Sequence, residues 1–406
     1  MSERPGAGAA EPGAAAGAAE SPGAGAAVVV APDRAATAAP ATPATTAGAP
    51  AAAPAPAAAP AVAAAARRRE RRNWLIIAGI GAVCLLVALV ALSSGASSLN
   101  IGQSAAGLLG IGDAQSVTTV QTIRLPRVLT AIIAGAGLAL AGAVLQSVLE
   151  NPLASASTVG ISQGAVFGAT VAILLIVPAV SDAGSAAAIG LGTVALFAFA
   201  GALVSCLVVL LFSRLGISSP ESIILVGVAL SSLWAGASTI IQYFSDDLAL
   251  TKVIFWQFGD LGRATRPQIA LMAGIGLVCA IYFLVNRWNY NALLNGSNVA
   301  GSLGVNVKRT RILGVVFSSL MAAAMVSFVG LISFVGLIAP HIARRLIGND
   351  YRFLLPASAV LGAIILLASD LVARMILSPV ILPIGAITSF LGAPLFLYLL
   401  LKGYRR

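Results

Sequence analysis

Long apolar runs separated by short polar segments make up most of the chain after residue 66. A helix needs about 20 consecutive apolar residues to cross the hydrocarbon core of a bilayer. Ten runs nearly free of charge fit this pattern, although the eighth is shorter and the ninth carries two charges near its end. They cover residues 74–92, 128–148, 160–178, 186–212, 222–243, 268–285, 312–329, 334–347, 354–376 and 383–401. The pattern therefore predicts an all-α polytopic membrane protein with ten transmembrane helices.

Composition and charge support the same class. Hydrophobic residues make up 59% of the chain, charged residues only 9%, and the mean hydropathy is +0.97, whereas soluble domains carry about 25% charged residues. The net charge of +10 could suit nucleic acid, but the basic residues flank the spans instead of clustering with aromatic residues, so no nucleic-acid partner is predicted. With the N-terminus in the cytoplasm, 18 of the 24 lysines and arginines face inward. This distribution follows the positive-inside rule and predicts that both termini are cytoplasmic.

The first 66 residues have a different composition from the rest of the chain. Alanine, proline, glycine, serine and threonine form almost all of this segment, without hydrophobic periodicity. Such a composition cannot bury enough apolar surface to form a core. We therefore expect residues 1–66 to be a disordered Ala/Pro/Gly-rich cytoplasmic tail, followed by a membrane domain over residues 67–406.

Small residues recur at helical spacing in the second and third spans. Gly160, Gly164 and Gly168 form a ridge, and Gly135 and Gly142 lie on closely related helix faces. Small residues allow helix backbones to approach closely in lipid. A tight bundle is predicted, although a chain this rich in glycine and alanine also produces such spacings by chance.

The segment GLISFVGLIAPHIARRL, residues 330–346, interrupts the apolar pattern. It contains Gly330, Gly336, Pro340 and the only histidine of the chain, His341. Irregular backbone at membrane depth is tolerated only where it is buried in protein or lines a cavity. The segment therefore either flanks a translocation path or forms a kink that turns the chain back.

Catalytic chemistry is missing from the sequence. One histidine and scattered carboxylates cannot form the usual metal or catalytic clusters, so no enzyme activity, metal site or resident cofactor is expected. The chain also lacks the phosphate-binding motif GxxxxGKS or GxxxxGKT, so ATP-driven transport would need a separate ATPase subunit. Asp370 and Arg374 stand four residues apart on one helix face, which predicts a local ion pair, although charges inside a span are also functional candidates.

Three long motifs occur in order along the membrane domain. Residues 124–169 read RLPRVLTAIIAGAGLALAGAVLQSVLENPLASASTVGISQGAVFGA, and residues 302–311 read SLGVNVKRTR. Residues 330–374 continue from GLISFVGLIAPHIARRL to LLASDLVAR, and LPIGAITSFLGAPLFLYLL follows. These motifs resemble those of the FecCD-type permeases of bacterial ABC importers for ferric siderophores, haem and cobalamin. The resemblance covers essentially residues 74–406.

The resemblance implies a fold and a set of partners. The fold is the ten-helix permease of type II ABC importers, similar to the cobalamin importer. The partners are a second permease subunit (a copy or a paralogue), two ATP-binding subunits and an extracytoplasmic substrate-binding protein, in the lipid of the bacterial cytoplasmic membrane. We expect a ferric siderophore as substrate, with haem or cobalamin as the alternative.

Two rival classes make different demands on the sequence. An ion-coupled secondary transporter would need carboxylates near the membrane centre, and only Asp370 and Glu150 come near that position. An intramembrane enzyme would need a catalytic cluster, and the sequence offers none.

The resemblance assigns the cytoplasmic loop between the sixth and seventh spans, residues 289–309, to coupling with the ATPase. This chain has serine and asparagine in the loop where relatives commonly carry acidic residues before the SLGVNV piece. The candidate coupling residues are Leu293, Gly296, Ser297, Asn298, Ala300, Leu303 and Gly304.

The outer face carries the candidates for docking of the binding protein. Arg124, Arg127 and Arg374 match the positions at which relatives meet acidic residues of that partner, and such charge complementarity steers association. Alternatively, Arg124 and Arg127 anchor the span at the membrane interface, and Arg374 only pairs with Asp370.

In the family, residues 330–346 correspond to the turn after the seventh span and a short eighth helix. His341 is expected first to pack against other helices, and Pro340 and His341 are the candidates for an inner gate as the second role. Leu331 and Ser333 replace a proline and a glycine of many relatives, so the backbone of this turn is expected to differ in detail.

Overall fold

The regular elements of the described residues are all helices. The computed structural model describes residues 58–95, 100–178, 186–215, 219–377 and 380–404. A π-helical turn, Thr119–Arg124, precedes α4, and another, Ala172–Ile176, extends α5. The helices are α1 Ala58–Ser93, α2 Ile101–Leu108, α3 Ala114–Thr118, α4 Leu125–Val148, α5 Ile161–Val171, α6 Ala186–Arg214, α7 Pro220–Tyr243, α8 Asp247–Gln257, α9 Arg266–Val285, α10 Arg287–Leu293, α11 Ser297–Ser302, α12 Val307–Val329, α13 Val335–Ile347, α14 Tyr351–Met375 and α15 Ile384–Tyr404.

Seven helical segments of the described residues are long and apolar enough to cross a membrane. They correspond to α1, α3 with α4, α6, α7, α9, α12 and α14. Two shorter apolar helices, residues 161–176 and 384–398, coincide with the third and tenth predicted spans. The 13-residue helix α13 coincides with the eighth. The all-α class is confirmed, and the count of ten membrane crossings stays a prediction.

The predicted boundary of the N-terminal tail falls inside α1. Residues 1–57 lie outside the described residues, whereas residues 58–66 belong to the helix that starts at Ala58. Contacts within the chain divide it into two units, Met1–Ala59 and Pro60–Arg406, near the start of α1. Residues 58–66 thus lie in α1, and the division into an N-terminal tail and a membrane domain stays a prediction. Alanine has the highest helix propensity, and elongating an existing helix is far easier than nucleating one.

Helix α4 occupies the centre of the bundle. Its residues are buried on nearly every face, and it packs against α12, α13 and α14. Gly135 faces Gly362 of α14, and a Cβ atom there would overlap the Gly362 carbonyl. Gly142 faces Gly336 of α13 in the same way. The predicted role of small residues in close helix packing is confirmed for α4.

Helices α5 and α6 form a second closely packed pair. A Cβ atom on Gly164 would meet the Gly201 carbonyl, and one on Gly168 would overlap the Phe197 carbonyl. Gly160 has a different role, because it precedes α5 with a left-handed φ of 83°. The glycine ridge thus divides into two packing positions and one turn position.

The interrupted segment forms a turn followed by a short helix. Gly330 (φ 90°) and Phe334 (φ 66°) both have left-handed backbone, and α13 starts at Val335. Pro340 lies inside α13 and has no N–H to donate to the carbonyl four residues earlier, that of Gly336. Gln146 of α4 donates to this carbonyl instead, with Nε2 3.4 Å from the oxygen. A neighbouring helix therefore satisfies the backbone group that the proline leaves free.

Candidate functional site

The candidate coupling loop consists of two short helices, α10 and α11, between α9 and α12. Gly296, before α11, has φ 93°, and Gly304, after it, has φ 84°. A side chain would strain both positions, so glycine allows the chain to change direction at each end of α11. The result is a small helical projection between two long helices.

The predicted coupling residues divide into buried and exposed groups. Leu293 and Ala300 are buried, at 2% and 0% exposure, and therefore hold the loop against the bundle. Asn298, Leu303 and Gly304 are exposed, and Gly296 and Ser297 are half-buried. Only the exposed group could meet another subunit without a rearrangement of the loop.

Two exposed apolar residues of the loop escaped the sequence analysis. Val299 is 46% exposed and Leu294 is 44% exposed, beside Leu303 at 67%. Val299 and Leu303 are four residues apart, a spacing that places them on one side of a helical turn. This spacing is readable in the sequence and could have indicated a shared apolar surface. We call Leu294, Val299 and Leu303 the loop tip.

A pair of hydrogen bonds fixes α10 to the start of α14. Nδ2 of Asn291 donates to Oδ1 of Asp350 over 3.0 Å, and the Tyr351 N–H donates to Oδ1 of Asn291 over 2.8 Å. Burial acts to raise the pKa of Asp350, but hydrogen bonds from the Arg352 backbone, Asn291 and the Arg352 side chain, with the Arg352 charge, lower it overall. The carboxylate is thus held in its charged form at the N-cap of α14.

A charged cluster fixes α11 at its first residue. Nη2 of Arg311 lies 2.8 Å from Oε1 of Glu150, and Nε of Arg311 donates to the Val148 carbonyl over 2.9 Å. Ser297 Oγ donates to the same carboxylate oxygen of Glu150 and lies 3.0 Å from Nη2 of Arg311. A carboxylate does contact this part of the loop, but it comes from the residue that follows the end of α4.

The arginines predicted to dock a binding protein point into the chain. Nη1 of Arg124 donates to the carbonyls of Leu92 and Ser93 at 2.8 and 2.7 Å. These carbonyls belong to the last turn of α1, where a helix leaves oxygens without intrahelical partners and attracts positive charge.

Arg127 and Arg374 share one carboxylate. Nε of Arg127 lies 2.8 Å from Oδ1 of Asp370, and Nε of Arg374 lies 2.9 Å from Oδ2. The Asp370 side chain is fully buried, and both arginine side chains are only 10% exposed. The local pair of Asp370 with Arg374 is confirmed, while the docking role of the three arginines stays a prediction.

Pro340 and His341 lie in the middle of α13. Pro340 is buried, and the His341 ring stands edge-on to Phe396 of α15 with ring centroids 6.3 Å apart. The inner end of α13 is held by Arg344, which donates to Oε1 of Gln146. These contacts fit the packing role of His341, and the inner gate stays a prediction.

The described residues contain no group of three or more histidine, cysteine, aspartate or glutamate side chains that could hold a metal ion.

Comparison with known proteins adds the decisive observation. The model of the FecCD transport family matches residues 82–402. The chain belongs to the FecCD transport family. This FecCD chain is accordingly a multi-pass transport permease subunit with all-helical architecture.

Relatives of the FecCD chain cover nearly its whole membrane domain. A provisionally named ABC transporter permease protein of Methanocaldococcus jannaschii is 48% identical over 324 residues, 79% of this chain and 92% of the relative. The Fe(3+)-citrate import system permease protein YfmE of Bacillus subtilis is 36% identical over 336 residues, 82% and 96% of the two chains. The vitamin B12 import system permease protein BtuC of Salmonella paratyphi A is 37% identical over 342 residues, 84% and 99%.

A solved structure is similar as well. It is an inward-facing conformation of a provisionally assigned metal-chelate type ABC transporter, with 31% identity and a TM-score of 0.70. The similarity covers 81% of the FecCD chain and 99% of that chain. Permeases with names for different cargoes are thus similar to this chain to nearly the same degree.

Proposed function

We propose that this chain is the permease subunit of an ABC importer that moves an iron chelate of the ferric siderophore type into the cytoplasm. Two permease subunits, copies or paralogues, form the transport path. Two separate ATP-binding subunits drive it, and a substrate-binding protein delivers the cargo from outside. The chain lies in the cytoplasmic membrane with both termini in the cytoplasm, as the distribution of basic residues suggests.

The geometry of residues 289–309 is the observation that carries this proposal. The loop is held to the bundle at Asn291 and Ser297, while the apolar side chains of the loop tip stay in solvent. Exposed apolar residues on a firmly held projection are typical of a surface that another protein covers. The ATPase subunit is the partner that an ABC permease needs on this side.

The outer face is the proposed docking surface for the binding protein. If Arg124, Arg127 and Arg374 take part, acidic groups of the partner must compete with Asp370 and with the α1 carbonyls. Arg124→Gln tests this role, because it removes the charge while its amide can still donate to an α1 carbonyl. It should weaken binding of the purified binding protein more than it lowers the unfolding temperature. A fall in unfolding temperature with unchanged binding would make Arg124 a purely structural residue.

Iron-chelate cargo is supported by the names of two similar proteins. One is a permease for Fe(3+)-citrate, and the other is a transporter of metal-chelate type. Uptake of radiolabelled ferric siderophore, hemin and cyanocobalamin by cells with and without this chain separates the three cargoes. Loss of iron uptake alone is the expected result, and loss of cyanocobalamin or hemin uptake alone would replace the iron chelate.

The ATPase partner is tested by purification. The tagged chain, isolated from native membranes in mild detergent, should carry a P-loop ATPase in equal amount, as identified by mass spectrometry. Leu303→Ser in the loop tip should reduce the ATPase recovered with the chain. Leu215→Ser is the matched control, since Leu215 at the end of α6 is 71% exposed and lies outside the loop. Absence of an ATPase under conditions that preserve a known ABC complex would overturn the proposal.

A further inference from the structure

Glu150 and Arg311 connect the coupling loop to the central helix of the bundle. We infer that these two residues, with Ser297, form an inner joint that transmits the movement of the coupling loop to α4. The inference rests on the proposed function, because it needs an ATPase that moves the loop. Glu150 and Arg311 are positioning residues in this scheme and contact neither ATP nor the cargo.

The inner joint brings together three separate elements. Arg311 lies in the first turns of α12, Ser297 begins α11, and Glu150 follows the last turn of α4. The three polar groups converge on one another, with the Arg311 guanidinium in contact with both Glu150 and Ser297. Arg311 also binds the Val148 carbonyl at the end of α4. A displacement of α11 therefore acts on the end of α4 through side chains that are already in contact.

The backbone at Glu150 is an independent sign of function. The Glu150 N–H donates to the Ser147 carbonyl, and the Asn151 N–H donates to the Gln146 carbonyl. This is the Schellman arrangement of a helix end, in which glycine usually takes the left-handed position. Here the position has φ 46° and carries a glutamate. Strained positions of this kind persist where the side chain has a role that glycine could not fill.

Burial makes the inner joint more than a surface ion pair. The Arg311 side chain is 12% exposed and the Glu150 side chain is 32% exposed. Exposed ion pairs are weak because water and salt screen them and because both side chains lose freedom. In the inner joint, the carboxylate accepts from two groups, and the guanidinium has three fixed acceptors.

The central position of α4 explains how the inner joint could affect the whole bundle. This helix packs against α12, α13 and α14 along most of its length. At its glycines the backbones lie so close that a Cβ atom would overlap the neighbouring helix. Packed interfaces of this kind change between discrete arrangements and do not deform gradually. Movement of the α4 end would therefore reposition several helices at once.

The inner joint is tested by the number of cargo molecules moved per ATP hydrolysed. The importer, reconstituted with its ATPase subunits, is assayed with radiolabelled ferric siderophore, or with hemin or cyanocobalamin where the wild type moves that cargo instead. Glu150→Gly removes the carboxylate and suits the left-handed backbone, so the end of α4 should stay folded. Arg311→Gln removes the charge from the other side.

We expect both variants to recover the ATPase in normal amount and to hydrolyse ATP, but to move about fivefold less cargo per ATP or lower still. Arg214→Gln, at an exposed arginine at the end of α6, and Glu70→Gln, at an exposed glutamate of α1, are the matched controls and should keep the wild-type ratio. Arg311→Lys keeps the charge without the forked contacts and should fall between the wild type and Arg311→Gln.

Failure of the inner joint and failure of the proposed function give different results. A wild-type ratio in both Glu150→Gly and Arg311→Gln would overturn the inner joint and leave the importer intact. A wild-type chain that recruits no ATPase would overturn the proposed function and the inner joint with it.

Discussion

Oδ1 of Asp370 accepts a hydrogen bond from Nε of Arg127 over 2.8 Å, although the two residues stand 243 positions apart in the chain. The bond joins α4 to α14 at the predicted outer end of the bundle. Asp370 is fully buried, and its carboxylate contacts the side chains of Arg127 and Arg374. The carboxylate needed by a secondary transporter is therefore engaged in a structural contact.

Asp370→Asn should strongly destabilise the protein. It leaves the buried Arg374 guanidinium without its carboxylate partner and leaves Arg127 with only the 3.4 Å contact to Asp260. Breaking a buried pair in this way costs about 3–5 kcal/mol. Thermal unfolding in detergent measures the effect. Asp247→Asn, at an exposed residue in the first turn of α8, is the control and should change stability by less than about 0.5 kcal/mol. Equal unfolding temperatures for the two variants would contradict the buried pair.

Gly142→Ala and Gly274→Ala should have opposite effects on stability. A Cβ atom on Gly142 would overlap the Gly336 carbonyl, so we expect a loss of about 1–3 kcal/mol. Gly274 of α9 has nothing within 4 Å of such an atom, and replacing a helical glycine by alanine should stabilise by about 0.5–1 kcal/mol. Urea or thermal unfolding of both variants measures the two changes in stability. A stable Gly142→Ala protein would show that α4 and α13 are less closely packed than described.

Two neighbouring tyrosines should respond differently to loss of the hydroxyl. The Tyr351 hydroxyl donates to the Ala143 carbonyl over 2.9 Å, so Tyr351→Phe should cost about 1 kcal/mol. The Tyr290 hydroxyl is buried and has no hydrogen-bond partner among the described residues, so Tyr290→Phe should be neutral or stabilising. Unfolding free energies of the two variants provide the comparison, and a larger loss at Tyr290 would reveal a partner of that hydroxyl.

Asp350 predicts a pH dependence of stability. Its pKa is lowered in the folded protein, so its stabilising effect is present above the unfolded pKa of about 3.9 and is lost as the pH falls through the lower folded value. The unfolding temperature of the wild type should therefore exceed that of Asp350→Asn at neutral pH. The difference should shrink below about pH 4 as the carboxylate becomes protonated. A difference that grows as the pH falls would contradict a lowered pKa of Asp350 in the folded protein.

The hydropathy pattern of the sequence was enough to predict the fold class and the position of most helices. Apolar runs must be long to cross a bilayer, and their lengths are readable in the sequence. Glycine, proline and charge also marked the interruption near residues 330–347, whereas the short helices of residues 289–309 were expected only from the family resemblance. The predicted first span starts at residue 74, whereas α1 starts at Ala58, because an alanine-rich segment that adjoins a helix extends it easily.

The orientation of the charged side chains was decided by the tertiary structure. From their positions alone, Arg124, Arg127 and Arg374 suit an outer surface, and Glu150 is a lone carboxylate after a span. Apart from the local pair of Asp370 with Arg374, their partners lie far away in the chain, as Arg311 and Val148 do at 163 residues' separation. Hydropathy and periodicity report which residues share a helix face or enter lipid. Hydropathy and periodicity do not report which helices pack against each other, and the contacts of a buried charge depend on that packing.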